Sequence, residues 1–281
     1  MRLVLLAGGL IATAAVQLSF AQWINYPTPG APRTRDGKVN MTARAPRASN
    51  GKPDLSGVWR AEATPIEEQK RLFGQDIDKL QVPGMERGSV SKYAFNVLLD
   101  FKPEESPIRP EALAITKQRL SQPDMRPSTR CLPLAVPFGT LFAAVQKIVQ
   151  TPGLIIQMLE IDNDARQIYT DGRKLPVDPT PSWLGYSVGK WEGDTLVVET
   201  NGLNDKGWLD AMGHPRSESM HLTERYRRRD YGHLDEEITF DDPKMYTKPF
   251  TIKLTHILQV DSDILEYICG EGERDRAHFT K

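Results

Sequence analysis

The sequence predicts a mostly β protein, an antiparallel up-and-down β-barrel of about eight strands with an N-terminal helical segment. From about residue 146 onward apolar and polar residues alternate, as they do on a strand with one buried face. Short turn sequences such as Pro152-Gly153 and Asp171-Gly172 interrupt this alternation. Strands joined so tightly are antiparallel neighbours, and a long meander is expected to close because closure removes exposed edges.

The first residues have the pattern of a cleavable secretory signal peptide over residues 1–21. Arg2 is followed by an apolar run from 3 to 16 and by a small-x-small site that ends at Ala21. A membrane anchor is the alternative, but it needs about 20 consecutive apolar residues, and Gln17 ends this run early. We therefore expect a periplasmic or secreted chain with no stable membrane insertion after cleavage.

Three regions follow the signal peptide. Residues 22–55 are rich in proline and glycine and are expected to form an extended arm. Residues 56–281 form the barrel domain, with a helical insert at about 62–121 that includes a helix starting at Pro110. Strands are predicted at 55–60, 146–151, 154–161, 166–170, 184–191, 195–200, 217–228, 233–240, 250–260 and 263–269.

Charge and motifs exclude several classes of function. Loss of Arg2 leaves 35 Lys and Arg against 37 Asp and Glu, which gives no general attraction to nucleic acid. The basic run 225–229 is predicted to be a solvated strand end. No zinc-protease, Cys-x-x-Cys, phosphate-loop or serine-hydrolase motif occurs. On a strand, Glu218 and His221 would face opposite sides, so no metal site and no cofactor are predicted.

The chain has two cysteines, Cys131 and Cys269, each beside apolar residues. Outside the cytoplasm such thiols tend to oxidise, so a disulfide is predicted, with two buried free thiols as the alternative.

Strand parity places three ionisable residues on the barrel's apolar inner face. Glu224, Glu236 and His256 each alternate with large apolar residues on their strands. Confined carboxylates have raised pKa values, and a nearby histidine can relay protons, which suits general acid–base catalysis. The alternative is a register slip that turns these residues outward, or an arginine that neutralises them.

The loop 201–217 is predicted to line the mouth of the barrel. Asp210 and His214, four residues apart, are candidates for an oriented acid–base pair, and Trp208 is a candidate ligand contact. The alternative is that the aspartates end turns and Trp208 plugs the barrel. The other predicted ligand-binding residues, all expected to face inward, are Tyr186, Glu218 and Tyr226.

Two resemblances to known families are visible. The opening Gly57-Val58-Trp59 before a long antiparallel meander is similar to the glycine-x-tryptophan opening of lipocalins and other calycins. The insert after Trp59 and the extra length depart from that pattern. Longer segments resemble a family of secreted proteins of Gram-negative bacteria, a likeness that covers nearly the whole mature chain and implies secretion without a particular reaction. These segments are Pro53–Trp59, Arg130–Pro133, Gly185–Leu196 and Thr223–Arg228.

Two hypotheses about function follow. The first is a periplasmic or secreted barrel that binds a small molecule. The second is a cofactor-independent acid–base enzyme of the lyase, hydratase or isomerase type, acting on a small organic substrate in the barrel mouth. Buried unpaired carboxylates cost several kcal/mol each, so their presence would favour the enzyme over a carrier of apolar ligands.

Overall fold

The computed structural model describes residues 27–74, 91–122, 125–142 and 144–269. The predicted signal peptide and the part of the helical insert at 75–90 lie outside these ranges. The helices are α1 Ile66–Phe73, α2 Lys92–Phe95, α3 Pro110–Ser121 and α4 Phe138–Leu141. Single 3₁₀ turns occupy Pro103–Glu105, Pro127–Arg130 and Ile161–Asn163. None of the helices in the described part is long and apolar enough to cross a membrane.

The β-barrel is confirmed, with nine strands in place of about eight. The strands are β1 Gly57–Ala61, β2 Gln146–Thr151, β3 Leu154–Leu159, β4 Ala165–Tyr169, β5 Tyr186–Glu192, β6 Thr195–Asn201, β7 His221–Arg228, β8 His233–Asp241 and β9 Phe250–Leu258. They follow chain order around a closed barrel, and β1 closes it by pairing with both β2 and β9.

The topology is mixed, so the fully antiparallel prediction is wrong at one place. A closed ring of nine strands cannot alternate direction throughout, so at least one neighbouring pair has to be parallel. That pair is β4 and β5, and the other eight neighbouring pairs are antiparallel. The segment 170–185 connects them and is long enough for the crossover that a parallel pair needs.

Residues 27–55 hold two tight loops against the barrel where an extended arm was expected. The segments 32–40 and 46–54 share the pattern Pro-Arg-x-x-Asp/Asn-Gly-Lys-x-Asn/Asp. In each loop the arginine donates to the glycine carbonyl and forms an ion pair with a barrel aspartate, Arg33 with Asp261 and Arg47 with Asp194. The repeated sequence therefore attaches the arm to the barrel at two places.

The core consists of two apolar clusters at opposite ends of the barrel strands. The first cluster contains Leu222 and Trp208 and packs against α2 and α4. The second contains Trp59 and Tyr226 and lies under the arm. Between them the interior is polar, and that polar layer is where the predicted inward-facing ionisable residues lie.

Candidate functional site

Each strand from β2 to β9 contributes one polar side chain to a layer inside the barrel, which we call the polar belt. None of its members exposes more than 2% of its surface: they are Gln146, Gln157, Arg166, Ser187, Thr200, Glu224, Glu236 and His256. Glu224, Glu236 and His256 thus face inward as parity predicts. The other five members were missed, although Gln157 alternates with the buried Ile155 and Leu159 and so carried the same signal.

Arg166 neutralises Glu224 inside the belt. The guanidinium and the carboxylate form a bidentate ion pair, with Nη1 donating to Oε1 at 2.8 Å and Nη2 to Oε2. The remaining donors of Arg166 bond to Ser187 Oγ at 3.0 Å, Gln157 Oε1 at 3.1 Å and Thr200 Oγ1 at 2.7 Å. All five N–H groups of Arg166 are therefore used, which is the arrangement that a buried cation requires.

A chain of hydrogen bonds from Arg166 sets the tautomer of His256. Arginine has no acceptor, so Gln157 turns its oxygen to Arg166 and its amide N–H₂ to Gln146 Oε1. The N–H₂ of Gln146 then faces His256 Nδ1 at 3.3 Å, and Nδ1 accepts. The ring proton is consequently on Nε2, which donates to Glu236 Oε2 at 2.6 Å.

Tyr226 completes the network between the two carboxyl groups. Its hydroxyl donates to Glu224 Oε1 at 2.9 Å. Burial raises the pKa of Tyr226 well above its ordinary value, and the charges of Glu224 and Glu236 raise it further. Glu236 Oε1 is buried and receives no hydrogen bond from the described residues. The belt is thus satisfied by its own members at every side-chain atom except this oxygen.

The predicted pair Asp210 and His214 is present in the loop between β6 and β7. His214 Nδ1 lies 2.6 Å from Asp210 Oδ2, and the same carboxylate accepts the backbone N–H groups of Val97 and His214. Asp210 is fully buried and His214 is 7% exposed. Nε2 of His214 makes no hydrogen bond with any residue that the structure describes. The carboxylate orients the imidazole and leaves its second nitrogen free to act on another molecule.

Trp208 plugs the end of the barrel, which is the alternative that the sequence left open for it. Its indole is 4% exposed and belongs to the first apolar cluster. The guanidinium carbons of Arg119 and Arg126 lie 5.2 and 5.9 Å from its ring centre. Trp208 closes this end of the barrel because the bend at residues 207–215, where Trp208 pairs with Pro215, turns the indole inward.

Three arginines, Arg119, Arg126 and Arg216, lie at this end of the barrel, where the charges of Asp205 and Asp210 also act on Arg119. Arg119 and Arg126 donate to the carbonyls of Gly213 at 3.1 Å and Ala211 at 3.5 Å, and neither forms an ion pair with the described residues. Arg126 Nε is buried and has no acceptor among the residues that the structure describes. Burial lowers the pKa of Arg119 to about 10.

Arg216 adds the third charge and is held by neutral acceptors. It is buried and donates to the carbonyls of Asn204, Val136 and Trp183 and to the amide oxygen of Asn204. Burial, together with the charge of Arg119, lowers the pKa of Arg216 to about 9. None of these three arginines was identified from the sequence, because their approach to one another depends on tertiary packing.

Two predicted ligand-binding residues lie away from the interior. Tyr186 is on the outer face, where it stacks on Tyr169 with ring centres 5.3 Å apart and accepts a hydrogen bond from Arg173. Gly185 has a φ of 65°, which breaks the alternation so that Ser187, and not Tyr186, faces inward. Glu218 is exposed because β7 begins only at His221. Tyr186, Trp208 and Tyr226 therefore do not share one surface.

Cys131 and Cys269 form a disulfide with Cα atoms 5.6 Å apart, as predicted. The bond joins the 3₁₀ turn at Pro127–Arg130 to the irregular segment after β9, where 263–268 does not form the predicted strand. Over the described ranges, no group of three or more His, Cys, Asp or Glu residues is arranged to hold a metal ion.

Comparison of the chain with protein-family models, with curated proteins and with solved structures found no significant match in any of the three.

Proposed function

We propose that this protein is a periplasmic or secreted β-barrel that binds a small organic anion at the barrel end closed by the loop between β6 and β7. The observation that carries the proposal is the pair Arg119 and Arg126, which lie against Trp208 with no ion-pair partner among the described residues. The disulfide and the secretory pattern of residues 1–21 support the location.

Arg166 provides a comparison within the same protein, because all the donors of this buried arginine are bonded to protein acceptors. Arg166 has a bidentate carboxylate and no unused donor. Within the described ranges, Arg126 in contrast has a buried Nε without an acceptor and one carbonyl contact, at the long distance of 3.5 Å. Because a buried charged donor without a partner is costly, a carboxylate or sulfonate that reaches Arg126 gains a charge-assisted hydrogen bond.

The apolar part of the ligand is expected to be aromatic or aliphatic. Trp208 itself is buried, and partly buried hydrophobic residues that pack against its cluster, Met125 and Ala211 among them, provide the apolar surface at this end. A pocket with an apolar wall and a few placed polar groups is the usual form of a small-molecule site. Anionic compounds with an apolar body thus fit better than sugars or cations.

The experiment uses the fluorescent aromatic anion 1-anilinonaphthalene-8-sulfonate, with benzoate and decanoate as competitors. We expect saturable binding that Arg126→Gln weakens by about tenfold, the effect of losing one charge-assisted hydrogen bond. Arg130→Gln is the matched control, since Arg130 lies on the next 3₁₀ turn, is exposed and makes one hydrogen bond, to a carbonyl. Equal weakening by both variants, or no saturable binding by the wild-type protein, would refute the proposal.

A second candidate function, acid–base catalysis, is favoured by Asp210 and His214. A carboxylate that holds Nδ1 at 2.6 Å while Nε2 stays free is the geometry of a general base. The belt residues Glu224, Glu236 and His256 fit this role less well, because they are sealed in the interior and bonded to one another. In a turnover assay on compounds found to bind, His214→Gln should abolish activity; unchanged activity would remove this pair.

A further inference from the structure

A cavity of about 260 Å³ lies between the arm and the barrel, at the end away from Trp208. Residues 42–47 of the arm, with Pro53, form one wall. The end of β7, the turn after it and Asp194 form the other. The lining residues are Thr42, Arg44, Arg47, Asp194, Arg227, Arg228, Arg229 and Asp230, with small or proline residues of the arm between them. Five arginines thus face two aspartates.

The aspartates are already engaged. Asp194 takes a bidentate ion pair from Arg47, with contacts of 3.0 and 2.7 Å. Asp230 accepts hydrogen bonds from Gly232 N and pairs with His233 Nδ1 at 2.6 Å. Asp230 Oδ2 also lies 3.9 Å from Arg229 Nε, so both carboxylates already have close partners.

Arg228 provides a fixed positive charge in the cavity wall. It donates to the carbonyls of Asp54 at 2.6 Å, Ser56 at 3.2 Å and Tyr231 at 2.6 Å. Its guanidinium also lies 4.8 Å from the ring centre of Trp59. All these partners are neutral, and burial lowers the pKa of Arg228 to about 10. Arg228 forms no direct ion pair with the described residues, although the charges of Asp54 and Asp230 partly offset the effect of burial on its pKa.

Arg44 and Arg227 are the two exposed cations of the site without an ion-pair partner among the described residues. Neither forms a hydrogen bond with the residues that the structure describes. Arg229, by comparison, is paired with Asp235 at 3.0 Å. The segment between the two arm loops holds Arg44 near the end of β7, because Tyr231 N and Gly232 N donate to the carbonyls of Ala43 and Met41 at 2.8 and 2.7 Å.

We propose that this cavity binds a phosphoryl group, either as inorganic phosphate or diphosphate or as the terminal phosphate of a larger molecule. Five guanidinium groups line the cavity, and Asp194, Asp230 and Asp235, the partner of Arg229, offset three of them. The two remaining formal positive charges match a doubly charged phosphate better than a single carboxylate. The planar donor fork of arginine suits phosphate oxygens. The volume is below the roughly 300–1,000 Å³ of drug-sized sites, so a phosphate group fits and a large organic body does not.

The test is calorimetric titration of the full chain with inorganic diphosphate at low salt. Arg44→Gln and Arg227→Gln are each expected to weaken binding by about tenfold. Arg225→Gln is the matched control, because it removes the same charge from the same strand face but Arg225 is paired with Glu192 at 3.0 Å and does not line the cavity. We expect the control to bind like the wild type.

Vesicles distinguish the source of the phosphate. Sedimentation with phosphatidic acid vesicles that depends on Arg44 and Arg227 would identify a lipid headgroup; binding of diphosphate alone would identify a soluble anion. Equal weakening by Arg225→Gln, or no diphosphate binding by the wild type, would overturn the proposal. Arg126→Gln should not affect this titration. The proposal for this cavity and the proposal for the anion site near Trp208 are therefore tested independently.

Discussion

Replacing Arg166 by methionine leaves Glu224 as a buried carboxylate with Tyr226 as its remaining donor. Removal of one partner of a buried ion pair typically costs about 3–5 kcal/mol. The destabilisation can be calculated more closely, because the carboxylate of Glu224 can become neutral by binding a proton. From a glutamate's ordinary pKa of about 4.3, that uptake costs about 3.7 kcal/mol at pH 7 and about 1 kcal/mol at pH 5.

The destabilisation by Arg166→Met should therefore shrink by about 2.7 kcal/mol between pH 7 and pH 5. The sign follows from proton binding: the folded variant keeps a proton on the buried carboxyl that the unfolded chain releases above pH 4.3, so its stability falls as pH rises. Urea unfolding at the two pH values, followed by tryptophan fluorescence, measures both free energies of unfolding.

Arg225→Met is the control, since its exposed ion pair with Glu192 is worth at most about 1 kcal/mol at either pH. The double variant Arg166→Met, Glu224→Leu should be less destabilised than the sum of its single variants by at least about 2 kcal/mol. A loss below about 1 kcal/mol for Arg166→Met, or an equal loss at pH 5 and pH 7, would show that this pair is not buried as described.

Three further predictions concern stability. Burial and the nearby charge of Asp162 raise the pKa of Asp164 from 3.8 to about 6, so the folded protein loses stability as pH rises from about 4 to 6; Asp164→Asn should remove this dependence and add about 1 kcal/mol at pH 7 in urea unfolding. Serine at Cys131 and Cys269 should lower the free energy of unfolding by about 2–5 kcal/mol, and reduction of the wild type should give the same loss. Alanine at Gly207 would place a Cβ 2.4 Å from the buried guanidinium of Arg216, so a cost of about 1–3 kcal/mol is expected, and an unchanged melting temperature would contradict it.

Alternation predicted the barrel interior well where strands were long and regular. Glu224, Glu236 and His256 lie on β7, β8 and β9, and each has apolar neighbours two residues away on its own strand. The parity of such strands follows from the sequence because the apolar set can face only the core. The hydrogen-bond partners of these residues cannot be read from the sequence. Arg166, for example, meets Glu224 only because three successive strand pairings have the registers seen in the structure.

The errors arose at breaks in alternation. The left-handed Gly185 changes the side on which Tyr186 lies, and the turn before His221 leaves Glu218 exposed. An odd number of strands requires at least one parallel pair, which here is β4 and β5. Whether the number is odd depends on whether the distant segment Gly57–Ala61 joins the sheet. The arm repeat was visible in the sequence, but its two aspartate partners lie on remote turns of the barrel.

The charge of the belt explains why both proposed anion sites lie at the ends of the barrel and not inside it. Among its members, Glu224 and Glu236 are acidic, Arg166 is the sole permanent cation, and His256 carries one ring proton because Nδ1 accepts from Gln146. The formal charge of the belt is therefore zero or negative and never positive. A belt of this charge would repel an anion from the centre, while the arginines without an ion-pair partner among the described residues lie at the two ends, where both proposals place the anion. A carrier of apolar or cationic ligands would require the reverse arrangement, with open apolar space or free carboxylates at the centre.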